Sequence, residues 1–214
     1  MNIALVMEWS TSERNSIVND VLQKVAKANG HTVVNYGQFG MEDFRQTYNQ
    51  NAIFTASLLA SGTADFVITG CGTGEGAMLA CNSMPGVTCG LVVDPADSYL
   101  FTQINGGNCM SLPFAKGWGW AAEVNLEYVF EKLFVQEPGG GYPESAAASE
   151  QRNAALLNKL KAAAQRSIKE ILACEDPDVH DMVVNAFGGK RMDLFRENCK
   201  NAEFLSVVEK AIAE

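Results

Sequence analysis

The stretch Asp65-Phe-Val-Ile-Thr-Gly-Cys-Gly-Thr-Gly-Glu-Gly-Ala77 decides how this chain folds. Asp65–Gly70 is apolar on consecutive positions, the pattern of a strand covered on both faces. A glycine then stands at every second position, and a helix is predicted over about 76–83. A strand that runs through a glycine-rich turn into a helix is one unit of an α/β fold. In such folds ligands bind at the carboxyl ends of the strands.

The same alternation extends outward in both directions. Toward the N-terminus, Ile3–Met7 and Thr32–Tyr36 read as strands. Between them lies a helix over Ser12–Ala28, with Ser10 or Thr11 as its cap and Gly30 as its stop. Tyr48–Ser61 reads as a helix closed by Gly62. Toward the C-terminus, Val87–Val93 and Asn108–Leu112 read as strands, and Pro95–Ile104 and Gly119–Phe134 as helices. Asp94 and Pro95 form a helix start, one capping and one in the first turn. Strands alternating with helices imply a parallel sheet with right-handed crossovers.

Gln136–Ala148, rich in Gly, Pro and Ala, reads as a linker. Beyond it Glu150–Ala173, Asp178–Phe187, Lys190–Cys199 and Ala202–Ala213 read as helices, with no strand signal. The expected division is therefore an α/β domain over 1–148 and a C-terminal helical extension over 149–214. Apolar stripes on the extension (Leu156, Leu157, Leu160; Ile168, Ile171, Leu172) call for a neighbour, expected to be a partner subunit.

Composition narrows the function. The chain has 214 residues, 47% hydrophobic and 19% charged, enough to bury a full core. Its formal net charge of −9 argues against nucleic acid and anionic membrane as partners. No apolar run approaches the roughly 20 residues that span a bilayer. Met1–Met7 lacks the basic leader of a signal segment, so the cytoplasm is the expected location. The six cysteines form no CxxC pair, and free thiols are expected there. Cys81, Cys89 and Cys109 fall in apolar patterns and read as core filler. With only His31 and His180, neither near a cysteine pair, no metal site is expected.

The chemistry concentrates in Cys71-Gly-Thr-Gly-Glu-Gly76. Glycines at 70, 72, 74 and 76 allow positive φ angles and close approach of a ligand. Successive N–H groups at a helix N-terminus make an anion cradle. A thiol there, Cys71, is biased toward the thiolate, and Glu75 in the first turn suits the helix dipole. No Lys-Ser/Thr follows, so this is not a phosphate loop of the Walker type, and its place after the third strand argues against a dinucleotide fingerprint.

That loop, followed by Ala80-Cys-Asn82, Pro85-Gly86, Gln103-Ile-Asn105 and Gly-Gly-Asn108, resembles the type B ribose-5-phosphate isomerase and galactose-6-phosphate isomerase family over about residues 2–152. The resemblance implies a doubly wound, Rossmann-like five-stranded parallel sheet and a homodimer with shared active sites. It implies aldose–ketose isomerisation through a cis-enediolate, without cofactor or metal. Carried over, Cys71 matches the cysteine that shuttles the proton and Thr73 the residue supporting it. Gly72, Gly74 and Gly76 match the donors to the enediolate oxygen. Glu75 matches the glutamate that serves as base where the cysteine is missing, and Asn105 an asparagine that contacts substrate oxygens.

Three departures bear on the substrate. The family's Asp-His after the first strand reads Glu8-Trp9 here; Glu8 can bind sugar hydroxyls and Trp9 can stack, but neither replaces an imidazole on phosphate. The ring-opening histidine of Gln-His-Asn reads Ile104. A tyrosine, Tyr142, replaces a phosphate-holding arginine, and Arg152 matches a later one only across an insertion. Each lost charge-assisted bond removes roughly 1.5–3 kcal/mol from phosphate binding. Lys116, Arg45, Arg191 and Arg196 are candidate replacements. A substrate that is open-chain and carries no phosphate needs neither device, and the resemblance extends to relatives acting on deoxy-keto uronates. A non-catalytic sugar-binding or regulatory protein on the same fold is the alternative.

Overall fold

The structure, a computed structural model, describes residues 1–213. Five strands, β1 (Asn2–Met7), β2 (Thr32–Asn35), β3 (Phe66–Cys71), β4 (Cys89–Leu91) and β5 (Cys109–Pro113), form one sheet. The order is β2-β1-β3-β5-β4 and every pairing is parallel. β3 is central and buried at all six positions, as its unbroken apolar run requires. The sheet is doubly wound. Ile3, Leu5, Met7, Phe66 and Ile68 pack against α1 (Asn15–Ala28) and α5 (Ala122–Leu133). Ala4, Val6 and Val67 point the other way, toward α2 (Tyr48–Ala60) and α3 (Glu75–Ser83).

Local chemistry adjusts the expected boundaries. A 3-10 turn over Trp9–Arg14 precedes α1, and neither Ser10 nor Thr11 caps the helix. Their hydroxyls are engaged by Glu8 instead, at its carboxylate and its carbonyl. The α4 helix (Pro95–Leu100) starts as expected, with Asp94 Oδ1 accepting from Asp97 N at 2.9 Å, but ends in a π-helical turn over Phe101–Asn105. The single tail helix expected over Glu150–Ala173 is broken. α6 (Ala147–Ala164) stops, and Ser167 starts α7 (Ile168–Leu172) through a capping box with Glu170.

The tail does not wait for a partner. α7, α8 (Pro177–Ala186), α9 (Arg191–Asn198) and α10 (Ala202–Ala213) bury Ile168, Leu172, Val183, Phe187, Phe195, Phe204 and Val208 in the same core as α2. Phe54 of α2 meets Tyr36, Phe187 and Phe195 edge-on, with centroids 5.2, 5.3 and 6.1 Å apart. Such pairs contribute about 0.5–1.5 kcal/mol each beyond burial. The Ile168/Ile171/Leu172 stripe, expected against another subunit, is thus covered by its own chain. The α6 stripe is not: Leu156, Leu157 and Leu160 are exposed.

Candidate active site

Register brings the predicted loop beside Glu8. Met7 pairs with Gly70 and Cys71 with Pro113, so Glu8 and Cys71 leave neighbouring strands at the same, carboxyl, edge. The crossing is tight. A Cβ on Gly70 would stand 2.2 Å from Leu112 O and 2.6 Å from the Phe114 ring. Only Gly74 among the four loop glycines uses the left-handed region, at φ +80°, and it opens α3. Its carbonyl is pinned by the buried Ser111 hydroxyl at 2.6 Å. Gly72 is different: its φ is ordinary and an added Cβ would find Ala115 at a comfortable 3.7 Å. The fold therefore does not demand glycine at 72.

The N–H groups of Gly72, Thr73 and Gly74 donate to no acceptor among the described residues. They sit at the N-terminus of α3, where the dipole favours negative charge. Cys71 is 7% exposed and Glu75 is open, with Lys116 Nζ 3.8 Å from its Oε1. That ion pair is solvent-screened and weak. Thr73 turns its hydroxyl to Glu75 N at 3.3 Å, and no bond joins it to the thiol.

Glu8 is buried, and desolvation pushes its carboxyl above the ordinary range, against the Ser10 hydroxyl bond and the attraction of Arg45. Trp9 is fixed at both ends: its N–H donates to Gln46 O and its Nε1 to Met41 O, each at 2.9 Å. The guanidinium of Arg45 lies over its ring at 4.4 Å.

Asn105 and Arg152 are elsewhere. The crossover after β4 runs back to the amino edge, where Asn108 N donates to Thr88 O and Asn108 O accepts from Val67 N. Asn105 is exposed there, three residues earlier. Arg152, also exposed, is on α6 beside the same turn, where Gln151 Nε2 holds Gly139 O and Gly139 N holds Thr102 O. One chain thus keeps these two residues at the sheet edge opposite Cys71.

A family profile described as Ribose/Galactose Isomerase matches residues 4–136. The chain belongs to that family. It is an aldose–ketose isomerase. A crystal structure of a 4-deoxy-L-threo-5-hexosulose-uronate ketol-isomerase complexed with a tartrate is 47% identical, covers 100% of both chains and superposes with a TM-score of 0.94. A ribose-5-phosphate isomerase from Vibrio parahaemolyticus is 43% identical over 99% of each chain, with a TM-score of 0.93. The type B enzyme of Trypanosoma cruzi, 15% identical, shares only the fold, over 76% of this chain and 99% of its own, with a TM-score of 0.64. Among curated proteins none matches significantly.

Neither histidine makes a hydrogen bond to the Cys71 loop or to Glu8. His31 sits before β2, at the amino edge, against Met1 and Phe134, and His180 is on α8. Sequence reading did not foresee three features. One is the Arg45–Trp9 stack, formed across a loop. Another is the Ser111–Gly74 bond. The third is that Cys81, Cys89 and Cys109, scattered in sequence, gather their Sγ atoms within 4.8 Å of one another. They are the only such group of potential metal donors among the described residues, and the apolar core encloses them. Their alternation on α3, β4 and β5 was legible; their convergence was not. Trp118 is partly packed against the core with Arg14 over its ring, while Trp120 is fully exposed. Among the described residues no helix is long and apolar enough to cross a membrane.

Proposed function

We propose that this isomerase interconverts the hydroxy-aldehyde and hydroxy-ketone forms of an open-chain, non-phosphorylated keto-uronate. The observation that carries the reading is the loop itself: a thiol at a strand end beside three N–H groups that the protein leaves unpaired. Cys71 as thiolate removes the proton on C2. The C2–H electron pair forms the C1–C2 double bond, and the aldehyde oxygen takes up the negative charge. Amides of Gly72, Thr73 and Gly74 stabilise that oxyanion, which exists only during reaction. A proton passes from the C2 hydroxyl to the C1 oxygen, and the Cys71 thiol returns its own to C1. Glu8, a buried carboxyl that desolvation raises above the ordinary range, is suited to exchange protons with those oxygens. Glu75, solvent-exposed and paired with Lys116, is the weaker candidate for the carbon base.

The substrate class rests on what the edge lacks and on likeness. Neither histidine is there to open a ring or hold phosphate, and the end-to-end relative at 47% identity is named for a keto-uronate. The tartrate in that relative is a small hydroxy-acid of the same chemical kind. Asn105 and Arg152 would complete the site from a second copy, its amino edge against the carboxyl edge of the first. Parallel assays with a linear 4-deoxy-5-keto uronate and with ribose 5-phosphate test the reading. Turnover of the uronate is expected; robust turnover of the phosphate ester alone would end it, and turnover of neither would favour a binding protein.

A further inference from the structure

The C-terminal extension is missing from the shorter relatives, which match only 71–77% of this chain while being covered almost completely themselves. Here its inner surface reaches the catalytic edge. Arg191 of α9, 2% exposed, donates from Nε to Tyr36 O at 3.2 Å and from Nη2 to Met7 O at 3.1 Å. These are the last carbonyls before the loop that follows β2 and before Glu8. Gln46, 1% exposed, directs Nε2 at the carbonyls of Asn185, Ala186 and Gly188 at 2.8, 3.2 and 3.2 Å. Its Oε1 accepts from Gln38 at 2.6 Å and its carbonyl accepts from Trp9 N. The 38–47 loop is therefore clamped between the extension and the Glu8-Trp9 pair.

That loop carries Arg45 to Trp9, next to Glu8. The guanidinium lies over the Trp9 ring at 4.4 Å, its charge acts on Glu8, and its N–H groups meet no acceptor among the described residues. Arg14 also lies over a tryptophan, Trp118, at 5.3 Å, farther from its ring than Arg45 is from Trp9. The four other cations considered from the sequence differ. Lys116 is paired with Glu75, Arg191 is buried on carbonyls, Arg196 holds Asp193 and Glu209, and Arg152 is at the far edge. A planar fork pre-set on an aromatic face and left unpaired suits bidentate capture of a carboxylate. We infer that Arg45 binds the carboxylate of the sugar-acid substrate, and that the C-terminal extension exists in this isomerase to hold Arg45 and Trp9 in place. The inference rests on the uronate reading above, which it deepens.

Arg45→Met and Arg45→Lys test it, with two readouts. The first is steady-state kinetics on the linear keto-uronate; the second is calorimetric binding of tartrate, which needs no turnover. Arg45 is exposed, so both variants keep the fold, checked by circular dichroism. Loss of a charge-assisted bond to the carboxylate predicts a rise in KM of roughly 10- to 150-fold with kcat nearly unchanged, and a matching loss of tartrate affinity. Arg45→Lys restores part of both. The remote variant Gln46→Met, which frees the loop from the extension, raises KM in the same direction without touching substrate. Unchanged KM and unchanged tartrate binding in Arg45→Met would overturn the inference. If the wild type does not turn over the uronate, the functional reading fails by itself, and tartrate binding still decides for or against Arg45.

Discussion

Gly72 and Gly74 separate what the fold needs from what the reaction needs. An alanine at 74 places its methyl 2.6 Å from Leu91 Cδ1 and 3.0 Å from the Leu112 carbonyl carbon, on a backbone at φ +80°. Left-handed strain costs about 1–2 kcal/mol and overpacking about 1–3 kcal/mol. A chain of this size loses roughly 2–4 °C of melting temperature per kcal/mol, so Gly74→Ala is expected to melt about 5–15 °C lower. An alanine at 72 meets only Ala115 at 3.7 Å, with ordinary φ. There the stiffer unfolded chain gives about 0.4–1 kcal/mol of added stability. On the function proposed above, however, the Gly72–Gly74 amides hold an oxyanion, and a methyl at 72 is expected to crowd it. Losing one such donor costs about a hundred- to a thousandfold in kcat. The assay is calorimetric melting of both variants beside the rate of uronate isomerisation. A Gly72→Ala protein as active as the wild type, or one that melts far below it, would refute the assignment of that face to substrate.

Exchange of the C2 proton with solvent deuterium, followed by NMR, should slow about a hundredfold or more in Cys71→Ala and far less in Glu75→Gln; the reverse order would make Glu75 the base. The raised Glu8 carboxyl gives a signed pH effect. Its folded value exceeds its unfolded one, so its contribution to stability is complete below the ordinary carboxylate range and is lost as pH rises through the folded value. Melting curves across mildly acid pH should show that slope in the wild type and a flatter one in Glu8→Gln. Iodoacetamide on native protein, read by peptide mass spectrometry, should leave Cys81, Cys89 and Cys109 unmodified while Cys174 and Cys199 react, because the three are sealed in the core and burial pushes the Cys109 thiol up. Early labelling of the cluster would contradict that packing.

The strands and the crossover helices were legible because each carries one period of apolar residues, and β3 showed its double burial in its composition alone. The loop was legible as a place, less so as a geometry. Four glycines made positive φ angles available, and only Gly74 uses one; Gly70 serves close packing and Gly72 serves neither. Long-range pairings were invisible. Nothing local tells Arg191 that its acceptors are Tyr36 and Met7, 155 and 184 positions away. The same blindness sent the Ile168 stripe to a partner, although Phe54 and its aromatic neighbours claim it at home. Asn105 and Arg152 were identified by pattern, and only the crossover showed which edge they occupy.

On the function proposed above, Cys71 and Asn105 act together although they stand at opposite rims of one sheet, which gives each polypeptide two half-sites. Two inactive preparations, Cys71→Ala and Asn105→Ala, should then rescue each other after dissociation and remixing. Random pairing restores one intact centre in half of the assemblies, about a quarter of the full rate. Intragenic complementation of that kind has no counterpart in an enzyme whose chain closes its own site.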